Sequence, residues 1–441
     1  MTQLQNRIEG VGIIKYVNEE IGHLRSNVMP NILMTSLIVL SSFTPLLSRL
    51  ITPYAKLLLI LLWILTAISL KRPTYVRPAR DVVFWWSAYI VLVFFTCIIG
   101  HSDISINFYI SNLTRYCVPF MMLVVLQSYN LKEKKLLWLV ITGIFVVNLL
   151  QNILYGVYHP DYFEGLDGLD ATRVEKRTNA GGTGFVVLCL FSVIIWWMIN
   201  QFSLIKKNRL VSIVFAGLCV FYMIFLNNRT TALLVLAIEI MGFILIHRAK
   251  DRKLYSKKKI IVSVVIIIAI IGYFAIPILE TLINFLNEES RMADRFIDLL
   301  SVAEGVDPEM LPDGSLAQRY ILWMTSINTF FASIPNFLFG IGDDDSLYDM
   351  ASLIKSGIGR HSEFFDLAAK YGLIGIVVFY KAWSSTFRLF SSICNSYYMK
   401  SLLSVFIVSF IVYSFVNQSP SSLLVMIFLP LTMVLLKQHL I

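Results

Sequence analysis

Charged residues are scarce in this chain of 441 residues. They make up 15% of the sequence, whereas about a quarter of the residues in a soluble globular domain are charged. Hydrophobic residues account for 57%, and the mean hydropathy is +0.72. Several apolar runs, each of about 18 residues or more, follow one another along the chain. These features exclude a soluble globular domain and predict a polytopic membrane protein.

Cysteine is also scarce, and no two cysteines have the Cys-x-x-Cys spacing of a metal site. The five cysteines lie in or beside apolar runs, at Cys97, Cys117, Cys189, Cys219 and Cys394. This excludes a disulfide framework and a zinc site built on cysteine. The acidic triplet Asp343–Asp345 could attract a divalent cation, but three consecutive side chains do not all face one ion in a regular structure. We therefore expect a solvated turn there, and neither a metal nor another cofactor.

The hydropathy pattern predicts an all-α fold of about twelve transmembrane helices. They cover residues 29–48, 53–70, 82–100, 105–126, 135–155, 181–200, 209–227, 230–246, 260–280, 364–382, 394–415 and 421–437. Most of the 37 lysines and arginines fall in the N-terminal segment, the C-terminal tail and the even-numbered loops between these helices. The positive-inside rule then places both termini in the cytoplasm. The net charge of +9 follows from this topology and does not indicate a nucleic-acid partner.

The predicted chain has three parts. Residues 1–280 hold helices one to nine, with a short outer loop near 156–180. Residues 281–363 form a large outer loop, and residues 364–441 hold helices ten to twelve. The large loop is acidic between residues 288 and 349, with twelve carboxylates against three arginines. A large outer loop in an otherwise compact bundle is where functional residues are expected.

An amphipathic helix is predicted inside the large loop. Ser315 or Asp313 could cap a helix that begins near Leu316. Its apolar residues recur at helical spacing, at Leu316, Tyr320, Trp323, Met324, Ile327 and Phe331. This pattern is typical of a helix that lies on the outer membrane surface. Arg319 lies one turn before Trp323, near the lipid headgroups, where it is either a functional cation or an ordinary surface charge.

Other arginines lie at the outer side of the predicted bundle. Arg229 follows a tight outer turn in LNNRTTALLVL, and Arg115 lies within the fourth span. A charge this close to hydrocarbon is costly, so each is either a functional cation or a residue that reaches a lipid phosphate or a backbone carbonyl. Arg173 precedes the glycine-rich segment RTNAGGTGF, and Arg177 opens it. That segment suits either an anion site or a flexible basic loop.

A histidine begins the tenth predicted helix. His361 follows Arg360 in the segment GRHSEFFDLAAKYGLIG, which covers residues 359–375. Gly372 and Gly375 are three residues apart, so one face of this helix can pack closely against a neighbour. By itself, a lone histidine at such a place is usually a headgroup or packing residue.

The order of these segments resembles the bacterial O-antigen ligase and O-antigen polymerase superfamily. That family has an Arg-Ser/Thr pair near a helix start and an Arg-x-x-x-Trp motif before a Gly-x-Gly turn. It then has His-Asn/Ser-x-x-Leu/Phe leading to Gly-Leu-Ile-Gly. NRTTALL, RYILW, FGIG and HSEFFDLAAKYGLIG follow the same order here, within residues 181–385. Ser362 stands where ligases often have Asn, which favours a polymerase.

The resemblance implies a fold similar to that of membrane-embedded glycosyltransferases of the C type. It also implies an enzyme of the bacterial inner membrane whose active site, with the large loop, is periplasmic. The implied donor is an oligosaccharide on undecaprenyl diphosphate, held among membrane lipids. A polymerase joins the growing chain to the next lipid-linked repeat unit, whereas a ligase moves the finished chain to lipid A core. A chain-length regulator and a flippase of the same pathway are the expected protein partners.

Roles for the candidate residues follow from that implied chemistry. His361 is assigned as the general base, since imidazole can take a proton from a sugar hydroxyl near neutral pH. Arg229 and Arg319 are assigned to bind the diphosphate, because arginine is always protonated and binds phosphate oxygens through two donors. Further diphosphate-binding residues are expected at Arg173, Arg177, Arg115 and Arg360. The predicted reaction needs no metal ion and inverts the anomeric centre.

A lipid-linked oligosaccharide flippase or transporter is the alternative from a different class. Transporters of twelve helices usually show two halves joined by a central loop after the sixth helix. Here the large insertion follows the ninth predicted helix and is external, and the sequence shows no internal repeat. A non-enzymatic scaffold of the cell-envelope machinery is a third alternative.

Overall fold

The computed structural model describes most of the chain. The described residues are 52–70, 77–100, 113–114, 116–158, 182–226, 230–250, 315–343, 350–394, 396–417 and 423–438, with isolated positions at 110, 277, 280, 297, 300, 301 and 306. The predicted span at 29–48 lies outside these residues, as do most of the span at 260–280 and most of the large loop before Ser315. The three-part division of the chain stays a prediction.

Helices account for the regular secondary structure of the described residues. They are α1 (Pro53–Leu70), α2 (Arg77–Gly100), α3 (Val118–Ser128), α4 (Leu131–Tyr158), α5 (Gly182–Phe202), α6 (Lys206–Phe221), a π-helical turn (Tyr222–Leu226), α7 (Thr230–Lys250), α8 (Ser315–Phe331), α9 (Ile334–Phe339), α10 (Met350–Ser356), α11 (Glu363–Ile393), α12 (Tyr397–Val416) and α13 (Leu423–Lys437). No strand occurs in the described ranges.

Five of the described helices are long and apolar enough to cross a membrane. These segments are Pro78–Thr96, Leu131–Tyr158, Phe185–Phe202, Lys206–Ile224 and Tyr397–Val416. Shorter apolar helices cover Tyr54–Leu65, Val118–Gln127, Leu234–His247 and Val425–Lys437. The prediction of an all-α membrane protein is confirmed, and the number of twelve spans stays a prediction.

The core of the bundle forms around α5 and α13. A helix that is apolar on every face is stable only when it is surrounded. Accordingly, every residue from Phe185 to Ile199 is buried except the half-buried Trp197. Aromatic rings from α4, α5 and α13 meet here, and the Trp196 and Phe428 ring centroids are 6.0 Å apart. Helix α4 buries only one face, as a helix at the edge of such a bundle would.

Helix α11 is longer than its predicted span of 364–382, because it continues to Ile393. Arg388 falls in the predicted loop between the spans 364–382 and 394–415, and this prediction of a loop is wrong, because the residue lies on α11. The charges and serines of this stretch lower its hydropathy, but Trp383, Thr386 and Phe390 recur at helical spacing on a buried face. The indole N–H of Trp86 on α2 donates to the Thr386 hydroxyl at 3.0 Å. Side-chain packing against α2 therefore extends the helix where apolar content alone predicts an end.

The amphipathic helix predicted inside the large loop is observed as α8. It begins at Ser315 and packs against α11. Its most buried residues are Leu322 and Ser326, which lie one turn apart. The predicted apolar residues Trp323 and Ile327 are half-buried beside them, while Phe331 is 67% exposed. The helix thus contributes a partly polar face to the protein interior.

Candidate functional site

The turn that carries His361 joins α10 to α11. It covers residues 357–362, and we call it the His361 turn. Gly357 has a φ of 75° and Arg360 a φ of 55°. In the described ranges, Arg360 is the one residue other than glycine with a positive φ. A side chain in this left-handed region is unfavourable by roughly 1–2 kcal/mol, so surrounding contacts must hold the turn in this shape.

The carboxylate of Asp366, near the start of α11, binds the turn on both sides of His361. It accepts the backbone N–H of Arg360 at 3.0 Å and that of Ser362 at 3.1 Å. A third hydrogen bond comes from the Ser326 hydroxyl at 2.7 Å. Asp366 is 3% exposed. Because a buried carboxylate is costly without partners, these three bonds fix both the side chain and the turn.

Ser326 also connects the turn to α8, the helix that carries Arg319. Its hydroxyl oxygen accepts the backbone N–H of Gly359 at 2.9 Å. At Gly359 a Cβ atom would overlap the carbonyl group of Leu322 on the same helix. The backbone of the turn therefore rests directly on α8, and only glycine allows this approach.

The other side of the turn is attached to α12. Ser362 caps α11, because its hydroxyl oxygen accepts the backbone N–H of Phe365 at 3.2 Å. The N–H of Glu363 donates to the carbonyl oxygen of Asn417, which follows the last residue of α12, at 3.2 Å. Two different helices thus hold the start of α11 in place.

Helix α11 is interrupted at Gly372, which has a φ of 63° and a ψ of −164°. The break frees carbonyl oxygens that would otherwise accept hydrogen bonds inside the helix. The oxygen of Ala369 instead accepts the N–H of Ile341 at 2.9 Å, and that of Lys370 accepts the N–H of Gly342 at 2.8 Å. The FGIG segment (339–342) therefore caps the first part of α11 at the break.

The two glycines of the Gly-x-x-Gly pattern have different roles. A Cβ atom on Gly372 would overlap the backbone of Leu338 and Phe339, so this glycine permits the close approach that the pattern predicts. On Gly375 the same atom would overlap the side chain of Tyr371, which belongs to α11 itself. Gly375 therefore accommodates the break in its own helix and makes no comparable approach to a neighbour.

Behind the turn lies a buried network of opposite charges. The ammonium group of Lys370 is 3.0 Å from one carboxylate oxygen of Asp343, and the guanidinium group of Arg360 is 3.8 Å from the other. Asp343 is 5% exposed. The expectation of a solvated turn is wrong for Asp343, because its carboxylate is buried between the positive charges of Lys370 and Arg360. Asp344 and Asp345 lie outside the described residues.

A small polar cavity adjoins this network between α2 and α11. Its volume is about 20 Å³, enough for about one water molecule. It is lined by Tyr89, Tyr116, Asp343, Glu363, Asp366, Leu367, Lys370 and Tyr371. The cavity places hydroxyl and charged groups beside the start of α11, on the side that faces α2.

His361 is half-buried and lies within electrostatic range of Arg319. Its pKa is lowered from 6.5 to about 4, first because burial disfavours the charged imidazolium and second because Arg319 adds a positive charge nearby. The imidazole is therefore neutral at neutral pH. A neutral imidazole beside a permanent cation can accept a proton while the cation holds an anion.

The structure brings three of the predicted site residues together: His361, Arg319 and Arg360. Arg360 is 6% exposed and its guanidinium group lies against Asp343. This geometry favours a role inside the charge network over direct contact with a diphosphate. The remaining predicted arginines lie outside the described residues, at Arg229, Arg115, Arg173 and Arg177. Within the described part of the chain, no three His, Cys, Asp or Glu side chains form a group that could hold a metal ion.

Three residues of this site are not predicted from the sequence: Ser326, Asp366 and Lys370. Asp366 and Lys370 did leave a signal, because they are charges inside a predicted membrane span, where a charge usually has a functional or structural partner. Ser326 left none, since a serine on an amphipathic helix is ordinary. Its role depends on a contact with a residue 40 positions away along the chain.

Comparison with known protein families gives one match. Residues 215–380 match the family model described as O-antigen ligase. This region contains α7, α8, the His361 turn and the break in α11, and the match confirms the resemblance to the O-antigen ligase and polymerase superfamily. Members of the family are glycosyltransferase-like enzymes, and the family implies a lipid-linked saccharide substrate in a membrane. No curated protein matches the chain significantly.

Proposed function

We propose that the protein is a polysaccharide polymerase of the O-antigen type. It transfers a growing glycan from undecaprenyl diphosphate to a hydroxyl group of a lipid-linked repeat unit, at the periplasmic face of the inner membrane. The observation that carries this proposal is the contact between the turn that holds His361 and α8, which holds Arg319: the Ser326 hydroxyl of α8 binds both Gly359 and Asp366, and the charge of Arg319 contributes to the lowered pKa of His361. Arg319 suits the leaving diphosphate, and His361 suits the attacking hydroxyl group.

The proposed reaction is a direct displacement at the anomeric carbon. His361 takes the proton of the acceptor hydroxyl, whose oxygen forms the new bond to the anomeric carbon. The bond from that carbon to the diphosphate oxygen breaks, and the electron pair leaves with the diphosphate. Arg319, together with Arg229, Arg115, Arg173 and Arg177, stabilises this anion. Because arginine supplies the positive charge, the proposed mechanism needs no metal ion, and the displacement inverts the anomeric centre.

Binding of the donor strengthens the base in this mechanism. In the free protein, the charge of Arg319 contributes to the lowered pKa of His361. A diphosphate bound to Arg319 offsets that charge, so the pKa of His361 rises towards its ordinary value. A more basic imidazole accepts the proton of the acceptor more readily. The base is thus weakest when no donor is present.

Ligase activity is the second candidate function, because the matched family model carries that description. Ser362, which favoured a polymerase, is the cap of α11. Asn and Ser cap helices about equally well, so the choice between them at this position has a local structural explanation. The two candidate functions differ in the acceptor that they use.

The two activities differ in the products of a strain that lacks the gene. Loss of the lipopolysaccharide ladder, with a single repeat unit still attached, supports the polymerase. Loss of all attached repeats, with accumulation of lipid-linked polymer, supports the ligase. Movement of lipid-linked units across a vesicle membrane without new glycosidic bonds supports a flippase and overturns both.

The mechanism is tested with purified protein in nanodiscs and lipid-linked repeat units extracted from the deletion strain. His361→Ala should lower the rate of glycan extension by about 10²–10⁴-fold. Arg319→Lys keeps the charge but loses the two-pronged contact, and should lower the rate by about 10²–10³-fold. Arg388→Lys is the matched control, because Arg388 is exposed, lies 4.0 Å from Asp81 and donates to the carbonyl oxygen of Ser384 on its own helix at 3.4 Å. Normal extension by either site variant would overturn the role of that residue.

A further inference from the structure

Resting on the proposed function, we propose that Asp366 and Ser326 are positioning residues that lock His361 and Arg319 into one geometry. Asp366 belongs to the helix that follows the His361 turn, and Ser326 to the helix that carries Arg319. Neither residue has to touch substrate in this proposal. Together they connect the base to the cation through hydrogen bonds.

Asp366 binds the backbone of the turn on both sides of His361. Its carboxylate accepts the N–H of the residue before His361 at 3.0 Å and that of the residue after it at 3.1 Å. Two bonds that flank one residue restrict the rotation of that residue's backbone. The residue before His361 also has the left-handed φ of 55°. Asp366 therefore holds the turn in an unfavourable conformation and limits the directions in which the imidazole can point.

Helix capping does not explain the presence of Asp366. The cap of α11 is already provided by Ser362, whose hydroxyl oxygen accepts the N–H of Phe365 at 3.2 Å. Asp366 lies one turn further into the helix and is 3% exposed. A buried carboxylate is an expensive group for a helix that could begin without it. Its three bonds compensate this cost only while the turn keeps its observed shape.

Ser326 forms a bridge between the turn and α8. The Ser326 hydroxyl donates to Asp366 at 2.7 Å and accepts the N–H of Gly359 at 2.9 Å. Ser326 has no exposed surface and follows Arg319 by two turns of the same helix. A shift of α8 relative to the turn would break both bonds. The bridge therefore sets the separation between His361 and Arg319, on which simultaneous contact with acceptor and donor depends.

The test combines backbone hydrogen exchange with kinetics on the full-length protein in nanodiscs. The variants are Ser326→Ala and Asp366→Asn, with Ser326→Thr as the rescue, because it keeps the hydroxyl group. The matched control is Thr325→Ala, since the Thr325 hydroxyl donates to the carbonyl oxygen of Ile321 on its own helix, at 2.9 Å. Exchange is measured by mass spectrometry on the peptide that contains residues 357–365.

We expect both site variants to accelerate amide exchange in this peptide, and to lower kcat about 10- to 100-fold while KM for the lipid-linked repeat unit changes less than about twofold. The acid limb of kcat/KM should move to higher pH, because a released imidazole gains water and moves away from Arg319. Ser326→Thr should restore all three properties, and Thr325→Ala should change none. A merely destabilised protein would lower the amount of active enzyme without moving the acid limb.

Two results would overturn the inference. Unchanged exchange in both variants would show that the hydrogen bonds do not hold the turn. Faster exchange with normal kcat and an unmoved acid limb would show that the turn is held but that His361 does not depend on it. If the wild-type protein extends no glycan, the proposed function fails instead, and the exchange measurement still decides whether Asp366 and Ser326 hold the turn.

Discussion

The core around α5 and α13 and the His361 turn are both buried, yet different forces hold them. In the core, apolar residues surround each helix on every side, and Trp196 and Phe428 pack at 6.0 Å between ring centroids. In the turn, backbone N–H groups donate to the Asp366 carboxylate and Gly359 lies directly against α8, and these contacts replace apolar packing. Non-directional packing tolerates changes that conserve volume, whereas directional bonds to the backbone tolerate few. Substitutions in the turn should therefore lower stability and activity more than substitutions in the core.

Adding a side chain at Gly372 should have the largest effect. Gly372→Leu places a side chain at a φ of 63° and against the backbone of Leu338. We expect loss of detectable glycan extension and a lower thermal unfolding temperature, because FGIG can no longer cap the first part of α11. The measurement is extension of lipid-linked repeat units together with thermal unfolding in detergent.

The control for this change lies in the bundle. Gly217 on α6 is exposed, and a Cβ atom there would meet nothing within 4 Å. Gly217→Leu should therefore keep normal activity and unfold at an unchanged or slightly higher temperature, since leucine favours a helix more than glycine does. Equal loss of activity in both variants would contradict the special role assigned to Gly372 at the break in α11.

The sequence predicts these two regions with very different success. Long apolar runs define the helices of the core, because burial in lipid or protein depends mainly on apolar content. For the site, motif order predicts His361 and Arg319, and it does so through family resemblance. The carboxylate of Asp366 and the hydroxyl of Ser326 could not be paired from the sequence, since their contact depends on how α8 and α11 pack. The sequence likewise predicts a packing face at Gly372 and not a break, because a glycine with positive φ and a helical glycine cannot be distinguished in the sequence.

The pH dependence of stability should further distinguish the turn from the core. The pKa of His361 is lowered to about 4 by burial and by Arg319, so the fold favours the neutral imidazole. Between about pH 4 and pH 6.5 the unfolded chain binds more protons at this residue than the folded chain. The contribution of His361 to stability therefore rises with pH through this window, is complete above it and is lost as the pH falls.

This shift can be measured without an activity assay. Diethyl pyrocarbonate acylates neutral imidazole, and its rate at His361 can be followed by mass spectrometry against pH. We expect half-maximal reaction near pH 4 in the wild type, an upward move in Arg319→Gln, which removes the charge, and little change in Arg319→Lys, which keeps it. Saturating undecaprenyl diphosphate should move the wild-type midpoint in the same direction as Arg319→Gln. A wild-type midpoint near 6.5 would contradict the assigned environment of His361.

The smallest effect is expected at Ser362, because its role as a helix cap can be compared with that of a second serine cap in the bundle. Ser362 caps α11 in the site and Ser396 caps α12 in the bundle, where its hydroxyl oxygen accepts the N–H of Met399 at 3.1 Å. Replacing either serine by alanine should lower the free energy of unfolding by about 1 kcal/mol. Only Ser362→Ala should also slow glycan extension, because the cap adjoins the base. Ser362→Asn keeps a capping oxygen and should extend glycans within about twofold of the wild-type rate, with the same acceptor. Transfer by Ser362→Asn to lipid A core, where the wild type extends a lipid-linked repeat unit, would instead show that this position selects the acceptor.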